Sequence, residues 1–318
     1  MSKLYILAFI FILISCDSRR IVSNDDTIFV DYDKEQIFDW NNTILIKSVV
    51  SLETADDCVL SYARKCLVSG KYIVYHDEKQ KAIFVFDEEG TFLYVIDAVG
   101  GGPDEYTEIK DMAISCDKEF ILVLDNNSVV SFDLKNGRFQ DRISLPQNIA
   151  SNFYRFANVD KQTFYFWSTE KENSLYLYEN GEMKVIEKRT GFPFVCQKFY
   201  YDSENSLNYI SDYGLFEIHG LEQERVRKKY SFDFGYLNFS KSQMPKNVTE
   251  FEQVDDDESF KCIMSAFETD DDLFIMTVSP DGMLYNICLD KITHEVRAGK
   301  QDENAPLLVI DAVGRYFY

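Results

Sequence analysis

The sequence is short of chain breakers, basic residues and histidine. It holds 6 Pro, 14 Gly, 3 His and 2 Trp in 318 residues. A Pro/Gly-rich low-complexity chain is therefore excluded. Basic residues number 33 against 54 acidic ones, a net charge of −21. A surface of that sign repels phosphate backbones, so nucleic acid is not an expected partner. None of the 7 Cys forms a CxxC pair, which disfavours zinc ribbons and thioredoxin-like centres. GxSxG, HExxH, P-loop and dinucleotide fingerprints are missing as well.

What is present begins at the N-terminus, MSKLYILAFIFILISC. Lys3 supplies a positive start, and Leu4 to Ile14 is apolar throughout. That run is too short to span a bilayer but fits the core of an export signal. It ends in Leu13-Ile14-Ser15-Cys16, which resembles the bacterial lipobox. The expectation is a signal peptide over 1–16, with Cys16 as the lipidated first residue of the mature chain. Polar residues 17–26 read as a tether, and 27–318 as one domain. The partner expected at this end is a membrane, reached through the lipid, so the chain is placed in the cell envelope. An ordinary export signal or an uncleaved anchor is the alternative. Six Cys remain: 58, 66, 116, 196, 262 and 288. Cys58 and Cys66 are close enough in sequence to pair. Most of the others sit in apolar strand patterns and read as buried free thiols.

Hydrophobic residues make up 46% and aromatics 15% of the chain, with 20 Tyr and 26 Phe. That load suits pleated, half-buried strands. Short β-rich runs recur, each set closing on a tight turn. One set is 71–77, 82–87 and 92–98. The next is 112–116, 120–126, 129–134 and 139–145. A third is 153–159, 163–168, 174–179 and 183–188. A fourth is 199–201, 207–211, 214–219 and 225–234, and a fifth 260–267, 272–279, 283–290 and 294–299. The turn glycines Gly90, Gly137, Gly181 and Gly220 lie 47, 44 and 39 residues apart. A period of 40–50 residues with four strands per unit is a propeller signature. The expected fold is all-β, a six-bladed β-propeller of four-stranded antiparallel blades. Residues 27–52 and 306–318 are expected to pair as the sixth blade and close the ring. A β-sandwich would not repeat one turn at a fixed interval.

The stretch IFVFDEEGTFLYVIDAVGGGPDEY (83–106) carries a D-x-x-G turn at Asp87–Gly90 and then Gly100, Gly102, Pro103, Glu105 and Tyr106. It resembles the six-bladed β-propeller lipoprotein family of Bacteroides-like bacteria, related to NHL and TolB-like propellers. That family carries G-x-G-P-G-E-Y here, and Asp104 departs from its glycine. Leu52-Glu53-Thr54 and Tyr230 to Gly235 resemble further stretches of the same family. The resemblance implies fold and location, and no activity.

Two readings of function follow. In the first, the propeller is a non-catalytic binding or scaffold module for a peptide, glycan or partner protein. In the second, it is an NHL-type lyase or hydrolase with a site at the mouth of the axial channel. The loop Gly100, Gly101, Gly102, Pro103, Glu105 and Tyr106 is the candidate ligand loop, and a tight inter-blade crossover is its structural reading. His76, His219 and His294 are just enough in number for a metal centre drawn from several blades, but His294 follows a turn on an expected outer strand, facing away from the axis, so no metal or cofactor is expected. Trp40 and Trp167 could stack on sugars, and blade packing is the plainer role. Asp255–Asp257 and Asp270–Asp272 lack calcium-loop spacing. Asp26-Thr27-Ile28 matches a three-residue O-glycosylation pattern.

Overall fold

The computed structural model describes residues 27–33, 36–43, 48–254, 258–302, 312–313 and 316–317. A short strand β1 (Thr27–Phe29) precedes five four-stranded antiparallel blades. Blade 1 comprises β2 (Ala63–Ser69), β3 (Tyr72–Asp77), β4 (Ala82–Asp87) and β5 (Phe92–Ile96). Blade 2 is β6 (Asp111–Ile114), β7 (Phe120–Leu124), β8 (Ser128–Asp133) and β9 (Phe139–Ser144). Blade 3 is β10 (Phe153–Asp160), β11 (Thr163–Ser168), β12 (Asn173–Glu179) and β13 (Glu182–Lys188). Blade 4 is β14 (Phe199–Tyr201), β15 (Leu207–Ile210), β16 (Glu217–Glu222) and β17 (Arg225–Asp233). Blade 5 is β18 (Ile263–Glu268), β19 (Asp272–Val278), β20 (Leu284–Asp290) and β21 (Val296–Lys300). The inner strands β2, β6, β10, β14 and β18 follow one another in space around an axis.

Alternation explains the wheel. Successive strand residues point to opposite faces, and here both faces are buried. On β7, Ile121 and Val123 face blade 1 and join Val74, Val85 and Phe132. Leu122 and Leu124 face the other way, onto Phe153, Phe164 and Phe166 of blade 3. Blades 3 and 4 share Tyr165, Trp167, Leu177 and Tyr209. Blades 4 and 5 share Ile210, Ile218, Phe234, Phe260, Ile275 and Tyr285. Each buried Phe or Leu contributes about 1.5–3 kcal/mol, so these four seams hold the assembly.

The hairpin turns repeat one device. Asp87 Oδ1 accepts the N–H groups of Glu89 and Thr91 at 3.1 and 2.8 Å. Asp133 does the same for Lys135 and Asn136, and Asp290 for Ile292 and Thr293. A left-handed residue then reverses the chain, Gly90, Gly137 or His294. The acidity of the chain is thus partly a turn chemistry. Gly220 does not fit the expectation. It lies inside β16, and Gln223, at φ 54°, makes the turn.

The described residues form five blades, not the expected six. Instead of building a sixth, β1 runs parallel to β17, with Thr27 opposite Ser231 and Phe29 opposite Asp233. Ile37 bridges Lys300 in the same sense. The cause is the free polar edge of the outer strands, which the incoming chain satisfies, while Ile28 and Val30 drop into the blade 4–5 core. Gly299 makes the approach possible. A Cβ there would sit 2.5 Å from the Phe38 backbone nitrogen. Of 306–318, strands β22 (Ala312–Val313) and β23 (Tyr316–Phe317) pair with each other, and β22 lies beside β18. The rest of that stretch lies outside the described residues.

Candidate functional site

The five inner strands surround an axial cavity of about 660 Å³. All five run in the same direction, so their first residues gather at one mouth and their last at the other. The first mouth holds Arg64, Lys65, Lys110, Arg155 and Lys198. The second holds Cys116, Lys118, Tyr201, Asp202 and Asn205. Across the whole lining, six basic side chains face two acidic ones, Asp111 and Asp202. That inverts the sign of a chain whose net charge is −21.

Four of the basic residues arrive one from each of blades 1 to 4. Lys65, Lys110, Arg155 and Lys198 are spaced by 45, 45 and 43 residues, the blade period itself. Lys65 Nζ lies 2.7 Å from Asp111 Oδ1, an ion pair joining blades 1 and 2. Asp111 Oδ2 also accepts the Phe156 N–H at 3.1 Å, which ties in blade 3. Lys110 Nζ donates to the Ser151 carbonyl at 2.9 Å and sits 5.0 Å from the centre of the Tyr154 ring. Burial lowers its pKa, with Glu108 and Asp125 opposing. Arg155 is held wholly by carbonyls. Its Nε donates to Cys196 at 2.9 Å, and Nη1 donates to Lys110 at 3.2 Å and Tyr154 at 2.7 Å. No carboxylate among the described residues pairs with it.

Lys198 is 1% exposed. Its Nζ donates to the Ser211 carbonyl at 3.0 Å and lies 3.4 Å from Asp212 Oδ1. Asp212 also accepts Trp167 Nε1 at 2.7 Å and Arg189 Nη1 at 2.6 Å. Both cations stand over the Trp167 ring. One carboxylate thus serves two buried cations, and the aromatic face supplies part of what is missing. His76 lines the cavity opposite Lys65 in the β2–β3 register. Its pKa is lowered, chiefly by burial, so the ring is neutral near pH 7.

The second mouth is wired to backbone and to blade 5. Tyr201 donates its hydroxyl to the Asn158 carbonyl. Asp202 pairs with Lys229 at 2.8 Å, and Lys229 reaches Glu268 at 3.0 Å. Glu268 also accepts Tyr200, Tyr230 and Lys291. These contacts lock blade 4 to blade 5.

None of residues 100–106 lines the axial cavity. The loop links β5 to β6 and folds on itself. Gly102 N–H donates to Glu105 Oε2 at 2.7 Å, and a Cβ at Gly100 would lie 1.9 Å from that same oxygen. Gly100 is therefore the space into which the Glu105 carboxylate turns. Tyr106 is fully buried and donates to the carbonyls of Lys81 at 2.8 Å and Ile96 at 3.1 Å. Arg142 Nε grips the Pro103 carbonyl at 3.1 Å. The motif thus pins a crossover between blades 1 and 2. Gly101 has open space around it.

The three His lie apart. His219 is 3.4 Å from Glu217 on its own strand, and His294 is the left-handed turn residue before β21. Among the described residues no group of three His, Cys, Asp or Glu could hold a metal ion. Trp40 and Trp167 are packed, at 7% and 0% exposure. The six described Cys are free thiols. Cys58 accepts the Ala55 N–H within its own turn, and Cys58 and Cys66 are both free and buried. Cys16, Asp26 and Asp255–Asp257 lie outside the described residues, and Asp270–Asp272 form the β18–β19 turn. Sequence reasoning missed the basic ring, although its spacing at the blade period was there to read.

A family profile described as a domain of unknown function, DUF4934, matches residues 26–315. No curated protein matches in sequence. Among solved structures, a Bacteroides fragilis protein described as exported is 16% identical, with a TM-score of 0.67 over 86% of this chain and 80% of its own. A member of the DUF4221 family from Bacteroides vulgatus is 12% identical, with a TM-score of 0.53 over 78% and 83%. At these identities the likeness is one of fold.

Proposed function

The chain belongs to the DUF4934 family, and from the cavity of its propeller we propose that it is a cell-envelope binding module, tethered by a lipid on Cys16, that takes its ligand along the axis. The single observation that carries the reading is the cavity of about 660 Å³ enclosed by all five inner strands. Its size suits a small molecule, or the end of a glycan or peptide. The walls are rigid, because each lining strand is hydrogen-bonded into a blade buried on both faces. Rigid walls spare a ligand the entropy of ordering its site.

The envelope location rests on the apolar run Leu4 to Ile14 and on Cys16. It agrees with the export described for the Bacteroides fragilis protein. Eleven peptide steps separate Cys16 from β1, at most about 40 Å when fully extended. The lipid would thus hold the wheel close to the bilayer by the outer edge of blade 4. The six-bladed form of the lipoprotein family also belongs to this reading. The contact of the β22–β23 hairpin with β18 supports counting it with a further blade.

Two variants test the proposal. Cys16→Ala should move the protein from the membrane to the soluble fraction, and continued membrane retention would refute the anchor. Ala113→Trp adds an indole at the cavity wall, beside the seam of blades 2 and 3. It should abolish ligand capture from a glycan or peptide array with the melting temperature preserved. Capture unaffected by the plug would remove the axial site.

A further inference from the structure

The charge inversion of the cavity goes further than its shape. We propose that the mouth built by the first residues of the inner strands is an anion site, which takes the carboxylate of a small organic acid. The proposal rests on the axial-site reading and adds the chemistry of its ligand.

Three observations carry it. First, basic residues recur in the lining at the blade period: Lys65, Lys110, Arg155 and Lys198, contributed by four consecutive blades. Six cations against two carboxylates line a cavity inside a chain of net charge −21. Random placement in so acidic a chain would favour the opposite sign.

Second, three of the cations are not used up, although Arg64 is paired with Glu78 at 2.9 Å. Lys65 is neutralised by Asp111. Lys198 shares Asp212 with Arg189, so that pair of cations keeps one uncompensated charge. Lys110 has Glu108 only at 3.8 Å. Arg155 rests on three carbonyl oxygens, which orient the guanidinium without cancelling its charge. Its Nη2 makes no hydrogen bond among the described residues, so two N–H donors remain for a carboxylate oxygen. A carboxylate suits the planar guanidinium fork and the neighbouring ammonium groups alike.

Third, the environment strengthens the field. A concave, low-dielectric wall focuses potential into the cavity. The desolvation that lowers the Lys110 pKa is the cost of burying that ammonium, and a bound anion offsets it.

The test uses crystals of the full chain soaked in sodium bromide, together with titration calorimetry against D-glucuronate and D-glucose. Anomalous density for bromide is expected in the cavity beside Arg155. D-glucuronate should bind at least tenfold more tightly than D-glucose. Arg155→Met should weaken it tenfold or more, and Lys65→Met severalfold. Lys184→Met, on outer strand β13 and outside the cavity, should leave it unchanged, and Arg155→Gln takes the place of Arg155→Met if that variant unfolds. Bromide found only outside the cavity would overturn the anion site. Equal binding of both sugars, abolished by Ala113→Trp, would overturn the anion chemistry and leave the axial site standing. Binding of neither sugar, with no bromide in the cavity, would overturn the anion site and count against the axial reading too.

Discussion

Four seams of the wheel are shared, and the fifth is not. Between blades 1 and 2, 2 and 3, 3 and 4, and 4 and 5, side chains from both partners merge into one cluster. Between blades 5 and 1 the described residues form two separate clusters. Phe274, Phe267 and Cys288 of blade 5 are covered by Phe38 and Trp40. Phe84 and Phe86 of blade 1 are covered by Cys58, with Leu52 and Leu60. Each face there has acquired its own lid from the N-terminal chain. The lesson concerns cooperativity. A shared seam cannot open without exposing two blades, whereas a lid can lift from one blade alone.

The largest effect is expected where a shared seam also holds charge. Asp212→Ala leaves Arg189 and Lys198 buried without a counter-ion and should cost about 3–5 kcal/mol in urea unfolding. If the loss is under about 1 kcal/mol, the buried trio is not what joins blades 3 and 4. The direct comparison of seams comes next. Phe166→Ala, in the seam of blades 2 and 3, should cost about 3–5 kcal/mol, because its neighbours cannot close the void. Trp40→Ala should cost about 1–2 kcal/mol, because its segment can settle onto Phe274. Hydrogen exchange of residues 36–43 should quicken in the second variant and leave β7 unchanged. Equal costs for the two would erase the distinction between seam and lid.

A smaller, pH-dependent effect is expected at the cavity wall. The folded-state pKa of His76 lies below its unfolded value, chiefly through burial. The unfolded chain therefore binds the proton more readily. The stability linked to this group is complete above about pH 6.5 and declines as the pH falls through that value. His76→Gln should flatten that slope in melts between pH 7 and 5, and an unchanged slope would assign it elsewhere. Tyr106→Phe removes two hydrogen bonds to carbonyls in the seam of blades 1 and 2. It should lower stability by about 1 kcal/mol. The smallest effect is expected at the strap. Burial would raise the pKa of Asp281, but Lys300, Ser279 and Tyr32 outweigh it and hold the carboxyl at about 2. Its contribution is present above about pH 4 and lost as the pH falls towards 2. Since the side chain is 43% exposed, Asp281→Asn should change stability by no more than about 0.5 kcal/mol at pH 7.

Much of the wheel was legible in the sequence because its two codes are local. Alternation marked strands such as FILVL and TFYFWS, and an Asp before a left-handed residue marked the outer hairpins. Strand β2, ARKCLVS, was not legible. It opens on Arg64 and Lys65, which face the axis and carry no apolar period. The turn of blade 4 was misplaced for a similar reason, since Gln223 took the left-handed role and a nearby Gly drew the eye. The lids escaped because a parallel pairing with β17 or β21 depends on which edge lies free, and that is settled only once the blades exist. The cavity charges were visible only as a spacing, since no single lysine among them forms a motif.

Under the proposed envelope location, the thiols carry a consequence for how this chain assembles. Five of the six described Cys are buried in the finished wheel, and burial pushes the Cys288 thiol up to about 12. In that state sulfur is an unreactive filler, protonated and out of reach of oxidants. An unfolded copy has no such shelter and, if the chain is exported as proposed, shows every thiol to disulfide-forming enzymes. Assembly and oxidation are therefore in a race. A copy in which two distant cysteines join first is committed to a loop that the blades cannot accommodate.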